Sequence, residues 1–485
     1  MPAGTPAKTA GGDAGEDSRR GCWRYDAGAA FYAPLEPRAA DLIVSAMEKI
    51  AAAITGMGAV SPHGRGVGAL WKGLLEGRAA FSPITLFDAK PFRNPLAGEV
   101  AGYPVLADGP PRAQRMLHDA CREALADAIG LSDRIAPGAQ AGSAGGEAEA
   151  DLDRELASRL AGLTGLAGAA IVTGTNFGGM SAAERALSGG GAVLPASGAQ
   201  AAGRAASSAG DLSQYLFGAA ADHVAAAFGL VGPRFNLSLS CASGVAALGV
   251  ALDLIRRGQA KAALACGYDE LSLFVYAGLS ALHAMTPETI RPFDRRRKGT
   301  LFSEGAGALM VEDLSHARRR GARIHALVLG RACNNDAYHM TAPEQDARGI
   351  QALMRAALAD AGTPPEDIGH LNLHATGTQY NDRIEALAIK AVFGPRGSQI
   401  PVSAVKSSIG HTMGAAGLLE TIAAVLSLRE GLAPPILGLD PAEKDPECDL
   451  LTPTGRPLAV RFDAALKTSY GFGGTNAAVV LKRQT

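Results

Sequence analysis

Residues 235–249 read Phe-Asn-Leu-Ser-Leu-Ser-Cys-Ala-Ser-Gly-Val-Ala-Ala-Leu-Gly, and this stretch decides the fold. Its first five residues predict a short strand, and the small residues after Cys241 predict a buried helix that ends near Gly258. The thiol is then expected at the first turn of the helix, where the helix dipole and free N–H groups lower its pKa. Cys241 is either a nucleophile or an inert core residue, since free cysteines are commonly buried.

A second stretch repeats this order of elements. In Ser403-Ala-Val-Lys406 a predicted strand is followed by Lys406, and Gly410-His411 then opens a small-residue helix that ends near Gly431. The repeat predicts a duplicated fold with a site between its halves. Other short apolar strands alternate with amphipathic stretches, which predicts a layered α/β architecture with much parallel pairing. These strands are Ala169–Val172, Ala262–Ala265 and Leu371–Leu373.

Composition excludes several classes of protein. The 485 residues carry 46 Lys+Arg and 47 Asp+Glu, so a formal net charge of -1 gives no overall attraction to nucleic acid or an anionic membrane. No apolar run reaches the roughly 18 residues of a membrane span. The six cysteines form no CxxC pair, which argues against a disulfide framework and a zinc site and favours a reducing cytoplasm.

The folded unit is predicted to begin at Met47. Residues 1–46 are rich in Gly, Ala and Pro without periodicity, so we interpret them as a disordered tail or a mis-assigned start, with a docking tail as the alternative. We expect an N-terminal half at 47–321, which contains the cysteine, and a C-terminal half at 322–485. Two Gly- and Ala-rich segments are predicted surface insertions: residues 137–149 and 195–210.

Three further motifs contain reactive groups. His374-Ala-Thr-Gly-Thr378 follows an apolar strand, where open α/β sheets hold their ligands, although a histidine here also fits a local backbone contact. Lys406 is either a solvated charge or a buried cation that holds histidines such as His411 neutral, with Glu420 as its partner. Gly471-Phe-Gly-Gly-Thr-Asn476 is a loop whose backbone approaches a ligand closely, or a plain glycine turn.

Together these four motifs resemble those of elongating β-ketoacyl-acyl-carrier-protein synthases, above all the type II enzyme of fatty-acid synthesis. The resemblance implies a thiolase-like α/β fold of duplicated βαβαβαββ halves in a five-layered αβαβα arrangement. It also implies a homodimer, or a heterodimer with a related subunit. The likeness extends to Ile54–Pro62, Trp71–Gly77, Arg291–Asp294, Glu304–Gly307 and Asp336–Thr341.

The resemblance implies a decarboxylative Claisen condensation of an acyl primer with malonyl-acyl carrier protein. Cys241 would accept the primer, and His374 and His411 would support malonyl decarboxylation, with no metal, nucleotide or redox cofactor. Both substrates would arrive on the phosphopantetheine arm of acyl carrier protein. The supporting residues would be Lys406, Glu420, Asp382 and Glu385 around the histidines, Thr376, Thr378 and Asn476 at the substrate arm, Phe177 in the acyl pocket, and Phe472 as a gate whose amide joins that of Cys241 in an oxyanion hole.

Several positions depart from the family's usual residues. Ala242, Ala375 and Tyr470 replace frequent alternatives without removing a reacting group. Phe177 stands where the family commonly has a small residue or Ile. Because extra volume in a packed cavity costs about 1–3 kcal/mol, the ring predicts a preference for short or unusual primers.

Rival functions explain fewer of these residues. A thiolase needs a second cysteine near the C-terminal glycine loop, and residues 471–476 contain none. His411 disfavours an initiating synthase with a Cys-His-Asn site, and Cys241 disfavours a non-catalytic chain-length-setting subunit. A ketosynthase of a polyketide or aryl-polyene pathway stays open. Arg112 and Arg115 are candidates for docking of acyl carrier protein, or are ordinary solvated helix charges.

Overall fold

The computed structural model describes residues 51–106, 109–135, 146–187 and 212–484. The predicted tail at 1–46 and the insertion at 195–210 lie outside the described residues, as does most of the insertion at 137–149. Residues 146–149 begin a helix instead, with Glu147 and Glu149 in its first turn, where the helix dipole favours negative charge. In the described part of the chain, no helix is long and apolar enough to cross a membrane.

The described secondary structure alternates short strands with helices. The strands are β1 Ala52–Ser61, β2 Gly64–Arg65, β3 Ser82–Pro83, β4 Leu96–Ala97, β5 Ala170–Gly174, β6 Arg234–Leu237, β7 Ala262–Asp269, β8 Gly305–Asp313, β9 Ala326–Asn335, β10 Ile368–Asn372, β11 Val402–Ser403, β12 Leu432–Ala433, β13 Leu458–Ala459, β14 Ala464–Gly471 and β15 Thr475–Lys482. The helices are α1 Val67–Leu75, α2 Arg112–Ala128, α3 Gly146–Gly162, α4 Met180–Leu187, α5 Ala219–Phe228, α6 Ser243–Arg256, α7 Leu273–Ala281, α8 Leu314–Arg319, α9 Arg348–Ala361, α10 Gln379–Phe393, α11 Lys406–Ile409 and α12 Ala416–Glu430.

The main sheet consists of two arms with the same pairing pattern. In the first arm β6, β5 and β7 are parallel, and β8 and β1 follow antiparallel. In the second arm β11, β10 and β14 are parallel, and β15 and β9 follow antiparallel. The arms join where Ala52–Ile54 of β1 pairs with β9. This repeat is the predicted duplication. Each strand expected from the sequence overlaps a strand of this sheet, whereas the short helix α11 that begins at Lys406 was not predicted.

Helices α6 and α12 pack against each other between the two arms. A Cβ atom at Gly417 would lie 2.6 Å from the Val245 nitrogen, so only glycine allows the two backbones this approach. Apolar side chains from both helices, such as Leu248 and Leu418, are fully buried, and each such leucine contributes about 1.5–3 kcal/mol. Helices α2 and α5 cover the outer face of the first arm, and α9 and α10 cover that of the second. The result is five layers in the predicted αβαβα order.

This arrangement brings the predicted reactive residues together. Cys241 follows β6 and His374 follows β10, so both lie at the carboxyl ends of parallel strands, where α/β sheets bind ligands. His411 lies between α11 and α12, on the connection that enters the central layer. The duplicated arms therefore direct one reactive residue each toward the same enclosed space.

Candidate active site

Cys241 lies at a sharp turn between β6 and α6. Ser240 before it has a φ of 49°, in the left-handed region that costs an L-residue about 1–2 kcal/mol. Ser243 stabilises the turn, because its hydroxyl donates to the Ser240 carbonyl at 2.6 Å and accepts the Leu239 N–H at 2.8 Å. The helix begins at Ser243, two residues after the cysteine. The turn holds the thiol in place, and Cys241 is only 7% exposed.

His411 contacts the thiol directly. Its Nε2 lies 3.0 Å from Sγ of Cys241, and its Nδ1 accepts the Met413 N–H at 3.2 Å. A neutral imidazole carries one proton, so an accepting Nδ1 leaves that proton on Nε2. His411 therefore presents a hydrogen-bond donor to the reacting sulfur and to the space beside it.

His374 has the same proton arrangement. The Nζ atom of Lys406 lies 3.2 Å from its Nδ1 and 2.8 Å from its carbonyl oxygen. Because an ammonium can only donate, Nδ1 is the acceptor and the proton of His374 is on Nε2. The rings of His374 and His411 meet edge to face with centroids 5.4 Å apart. Two neutral histidines thus supply two N–H donors to one site.

The electrostatic surroundings keep both histidines neutral. Burial, with the charge of Lys406 as the next cause, holds the pKa of His374 and that of His411 well below the usual range. Lys406 itself is fully buried and forms an ion pair with Glu420. The structure places the predicted cation and its predicted carboxylate partner beside the histidines, where the cation opposes their protonation.

The thiol departs from the sequence prediction. Burial raises the pKa of Cys241 to about 12, and the Lys406 charge only partly opposes that rise. The expectation of a lowered pKa is wrong, because the buried sulfur loses its solvation and this loss is the largest influence on its pKa. The resting site therefore holds a thiol rather than a thiolate.

Glu385 and Asp382 organise the loop after His374. The two carboxylate oxygens of Glu385 accept the N–H groups of His374 and Ala375, each at 2.9 Å, and burial raises its pKa to about 7. Asp382 accepts the Gly377 N–H at 3.1 Å and the Phe293 N–H at 3.0 Å. Both carboxylates act on backbone, so they position the histidine loop without touching the thiol.

The glycine-rich loop packs against the cysteine turn. A Cβ atom at Gly471 would lie 3.0 Å from the Cys241 nitrogen, so the glycine allows the two backbones to approach. The Ser240 hydroxyl donates to the Phe472 carbonyl at 3.0 Å, and the Thr475 hydroxyl donates to the Leu239 carbonyl at 2.9 Å. These contacts hold the glycine-rich loop against the cysteine turn.

One cavity of about 500 Å³ reaches these groups. The hydroxyls of Thr376 and Thr378 lie 3.0 Å apart on its wall, and Thr378 also caps α10. Asn476 is held by its amide nitrogen, which donates to Asp336 at 2.6 Å and Asn334 at 3.0 Å. The predicted site residues that line this cavity are Cys241, His374, His411, Thr376, Thr378, Phe472 and Asn476.

Two predicted residues lie elsewhere. Phe177 is half-buried and packs on an apolar cluster that includes Tyr276 and Met413, and it is outside the lining of the cavity. Arg112 is buried and pairs with Glu304, so its assignment to a docking surface is wrong. A buried guanidinium paired with a carboxylate has no free charge to offer a partner.

Sequence reasoning missed two buried groups. Lys467 lies within β14, fully buried, with its Nζ atom 2.6 Å from Oε2 of Glu420. Asp269 ends β7 and accepts the Thr175 hydroxyl at 2.6 Å and the Gly414 N–H at 2.7 Å, which ties the loop before α4 to the turn after His411. The sequence pattern that could have identified both residues is a charged residue inside an apolar strand or directly after one.

Two family models match this chain. The model described as Beta-ketoacyl synthase, N-terminal domain, covers residues 48–317, and Beta-ketoacyl synthase, C-terminal domain, covers residues 325–440. The chain belongs to the beta-ketoacyl synthase family. The predicted family, the thiolase-like fold and the predicted function as a β-ketoacyl synthase, an acyltransferase, are thereby confirmed.

Individual relatives of this ketosynthase match over nearly their whole length. It is 33% identical to the 3-oxoacyl-[acyl-carrier-protein] synthase 2 of Coxiella burnetii over 444 residues, which is 90% of this chain and 99% of the relative. It is 34% identical to Nodulation protein E of Rhizobium meliloti over 440 residues, 89% of this chain and 98% of the relative. A solved structure of a type II PKS acyl-carrier protein in complex with its ketosynthase bound to the hexaketide is 26% identical, with a TM-score of 0.75, over 90% of this chain and 100% of that one.

Proposed function

We propose that this ketosynthase carries an acyl primer on Cys241 and condenses it with malonyl-acyl carrier protein to give β-ketoacyl-acyl carrier protein in fatty acid biosynthesis. The observation that carries the proposal is the pair of neutral histidines beside the thiol, each with its proton on Nε2. The half at 47–321 contributes the cysteine, and the half at 322–485 contributes both histidines.

The first step is acyl transfer to the thiol. The sulfur attacks the primer thioester and forms a tetrahedral oxyanion, for which the backbone N–H groups of Cys241 and Phe472 are the donors. Collapse breaks the bond to the phosphopantetheine sulfur, which leaves with the proton that Cys241 gave up. Because the thiolate is the attacking species, the raised pKa of Cys241 opposes this step, and the step balances because the proton of Cys241 ends on the leaving sulfur.

The second step is decarboxylation and condensation. Malonyl thioester loses carbon dioxide, and the electron pair of the broken bond forms an enolate whose oxygen accepts the Nε2–H groups of His374 and His411. The enolate carbon attacks the acyl carbonyl on Cys241, and the β-ketoacyl thioester leaves. The sulfur takes up one proton from water, as its raised pKa favours, and the cycle closes. These bonds break and form without a metal or a redox cofactor, so none is included.

Primer length is the next part of the proposal. The apolar cluster that Phe177 joins lies beside the site, because it also contains Met413, two residues from His411, and contacts Phe472. We propose that this cluster is the acyl pocket and that the Phe177 ring shortens it, so short primers are preferred. Extra volume in such a pocket costs about 1–3 kcal/mol, enough to discriminate roughly 5- to 150-fold between primers.

Partners follow from the same reaction. We propose that acyl carrier protein delivers both substrates, that the working unit is a homodimer or a heterodimer with a related subunit, and that the compartment is the cytoplasm. A polyketide pathway is the second candidate, because a solved relative is a type II PKS ketosynthase complexed with its acyl-carrier protein. A panel of primers on carrier proteins of both pathways separates the two.

Intact-mass analysis with two variants tests the residue roles. Wild type should gain the mass of the acyl group, and Cys241→Ser should lose that transfer while it still decarboxylates malonyl carrier. His374→Ala should accept the acyl group but release carbon dioxide at least about 100-fold more slowly, since one oxyanion donor is worth that much. Full condensation by Cys241→Ser would disprove the proposal.

A further inference from the structure

Glu420 holds two buried ammonium groups, one on each carboxylate oxygen. Lys406 pairs with Oε1, and the Nζ atom of Lys467 lies 2.6 Å from Oε2. All three side chains are at most 1% exposed. A single buried ion pair already costs solvation, so a second cation on the same carboxylate needs a reason beyond stability.

The extra lysine changes the charge of the cluster. With both lysines and Glu420 ionised, the cluster carries one net positive charge, whereas a single lysine with Glu420 would be neutral. Lys467 also interacts with the charge of Glu385, which lies on the neighbouring helix α10. Burial raises the pKa of Glu385 to about 7. The positive charge of Lys467 reaches both histidines, where it adds to burial and Lys406 in lowering their pKa.

We propose that Lys467 is a positioning residue for decarboxylation, because its fixed positive charge, held on Glu420 beside Lys406, adds to burial and Lys406 in keeping the two histidines neutral and favours the enolate that forms beside them. The inference rests on the proposed function. A neutral histidine donates to the enolate oxygen but attracts the malonyl carboxylate less than an imidazolium would. The lysine therefore acts through the histidines and Glu420, without touching the substrate.

The position of Lys467 fits this role. It stands in β14 four residues before the glycine of the loop that contacts the cysteine turn, and it pairs across the sheet with Asn372, two residues before His374. Its own pKa lies below the ordinary lysine value, first because of burial. The charge that this strand carries is thus held at a fixed distance from the site by the sheet.

The test compares Lys467→Met with the double variant Lys467→Met/Glu420→Gln, and Lys482→Met, at the exposed last residue of β15, is the matched control. Lys467→Met makes the cluster neutral, so the acid limb of the pH profile of malonyl-carrier decarboxylation should move to higher pH. Its maximal rate should fall about tenfold or more, while acyl transfer to Cys241 changes less than about threefold. The double variant restores one net positive charge through Lys406 and should return the acid limb toward that of wild type.

A structural role gives a different pattern. If Lys467 only fills space and neutralises Glu420, both half-reactions fall together and the double variant shows no recovery of the acid limb, which overturns the inference. An unshifted acid limb in Lys467→Met also overturns it. If that variant does not fold, Glu420→Gln is compared with the double variant, because Lys467 keeps its charge only in Glu420→Gln. The acid limb of Glu420→Gln should then lie at lower pH, and equal acid limbs contradict the inference. Failure of the wild-type protein to decarboxylate malonyl carrier would instead count against the proposed function.

Discussion

The contact between helices α6 and α12 in the central layer should control both the stability of the protein and its rate of acyl transfer. Alanine substitutions at two glycines of α6 test this. A Cβ atom at Gly244 would lie 2.9 Å from the Gly414 oxygen and 3.0 Å from the Leu418 nitrogen, which are backbone atoms that cannot rotate away. Ordinary contact needs about 0.5 Å more. At Gly249, the nearest atoms to a new Cβ are in the Arg331 side chain at 3.5 Å, so alanine fits there.

Gly249→Ala should therefore stabilise the protein, by about 0.5–1 kcal/mol, which is the usual gain of alanine over glycine within a helix. Gly244→Ala should destabilise it by about 1–2 kcal/mol, because overpacking costs about 1–3 kcal/mol and the helical preference returns part of that. Separation of the two helices also moves Cys241 away from His411, whose Nε2 atom lies 3.0 Å from the Cys241 sulfur. A shift of about 1 Å costs about 100-fold in rate. We expect acyl transfer to slow about tenfold.

Urea unfolding and timed intact-mass measurements of acylation give the two quantities. Gly249→Ala serves as the matched control, since it adds the same methyl group to the same helix. Equal stability of the two variants, together with an acylation rate within twofold of wild type for Gly244→Ala, would show that the helix contact does not set the site geometry.

Three shorter predictions follow from other contacts. Phe177→Ala should raise acylation by long-chain primers about tenfold relative to acetyl primer, measured by intact mass; an unchanged primer range would refute the assignment of the pocket. Arg112→Met should lower the unfolding free energy by about 3–5 kcal/mol, because Glu304 stays buried without its partner, and the KM for carrier protein should stay constant in the folded fraction. Because burial raises the pKa of Cys241 to about 12, its alkylation by iodoacetamide should still rise about tenfold per pH unit at pH 9, and a plateau near neutral pH would contradict this.

Local pattern was enough to predict the elements that hold the reactive groups. The strand before Cys241 and the helix after it follow from short-range periodicity. Around His411 the strand β11 and the helix α12 follow in the same way, whereas the four-residue helix α11 was not predicted. Their convergence was predictable as well, because the carboxyl ends of parallel strands meet at one edge and the sequence repeats the strand and helix order. The two arms of the sheet have the same strand pairing, which agrees with the repeated order of elements in the sequence.

The errors concern residues whose role depends on distant partners. Arg112 reads as a solvated charge at a helix start, and only Glu304, which is remote in sequence, explains why it is buried. No role was predicted for Lys467, because its burial depends on the position of β14 inside a sheet that is covered on both faces. Sequence spacing does not contain these long-range contacts, and so it could not predict the charges they bury.

The thiol pKa shows why these missed contacts matter for chemistry. A helix start is a local feature and favours a thiolate, whereas the enclosure of Cys241 depends on the loops from both halves and favours the thiol by a larger amount. The same enclosure lowers the pKa of both histidines, because burial disfavours the imidazolium cation just as it disfavours the thiolate anion. Before the reaction, the thiol and the two histidines of this enclosed site are therefore neutral. The ammonium groups of the two lysines on Glu420 are the charges that lie near a newly formed enolate. The reactivity of this site therefore depends on which side chains stay charged throughout the reaction. The packing of the whole core determines this, and no single motif does.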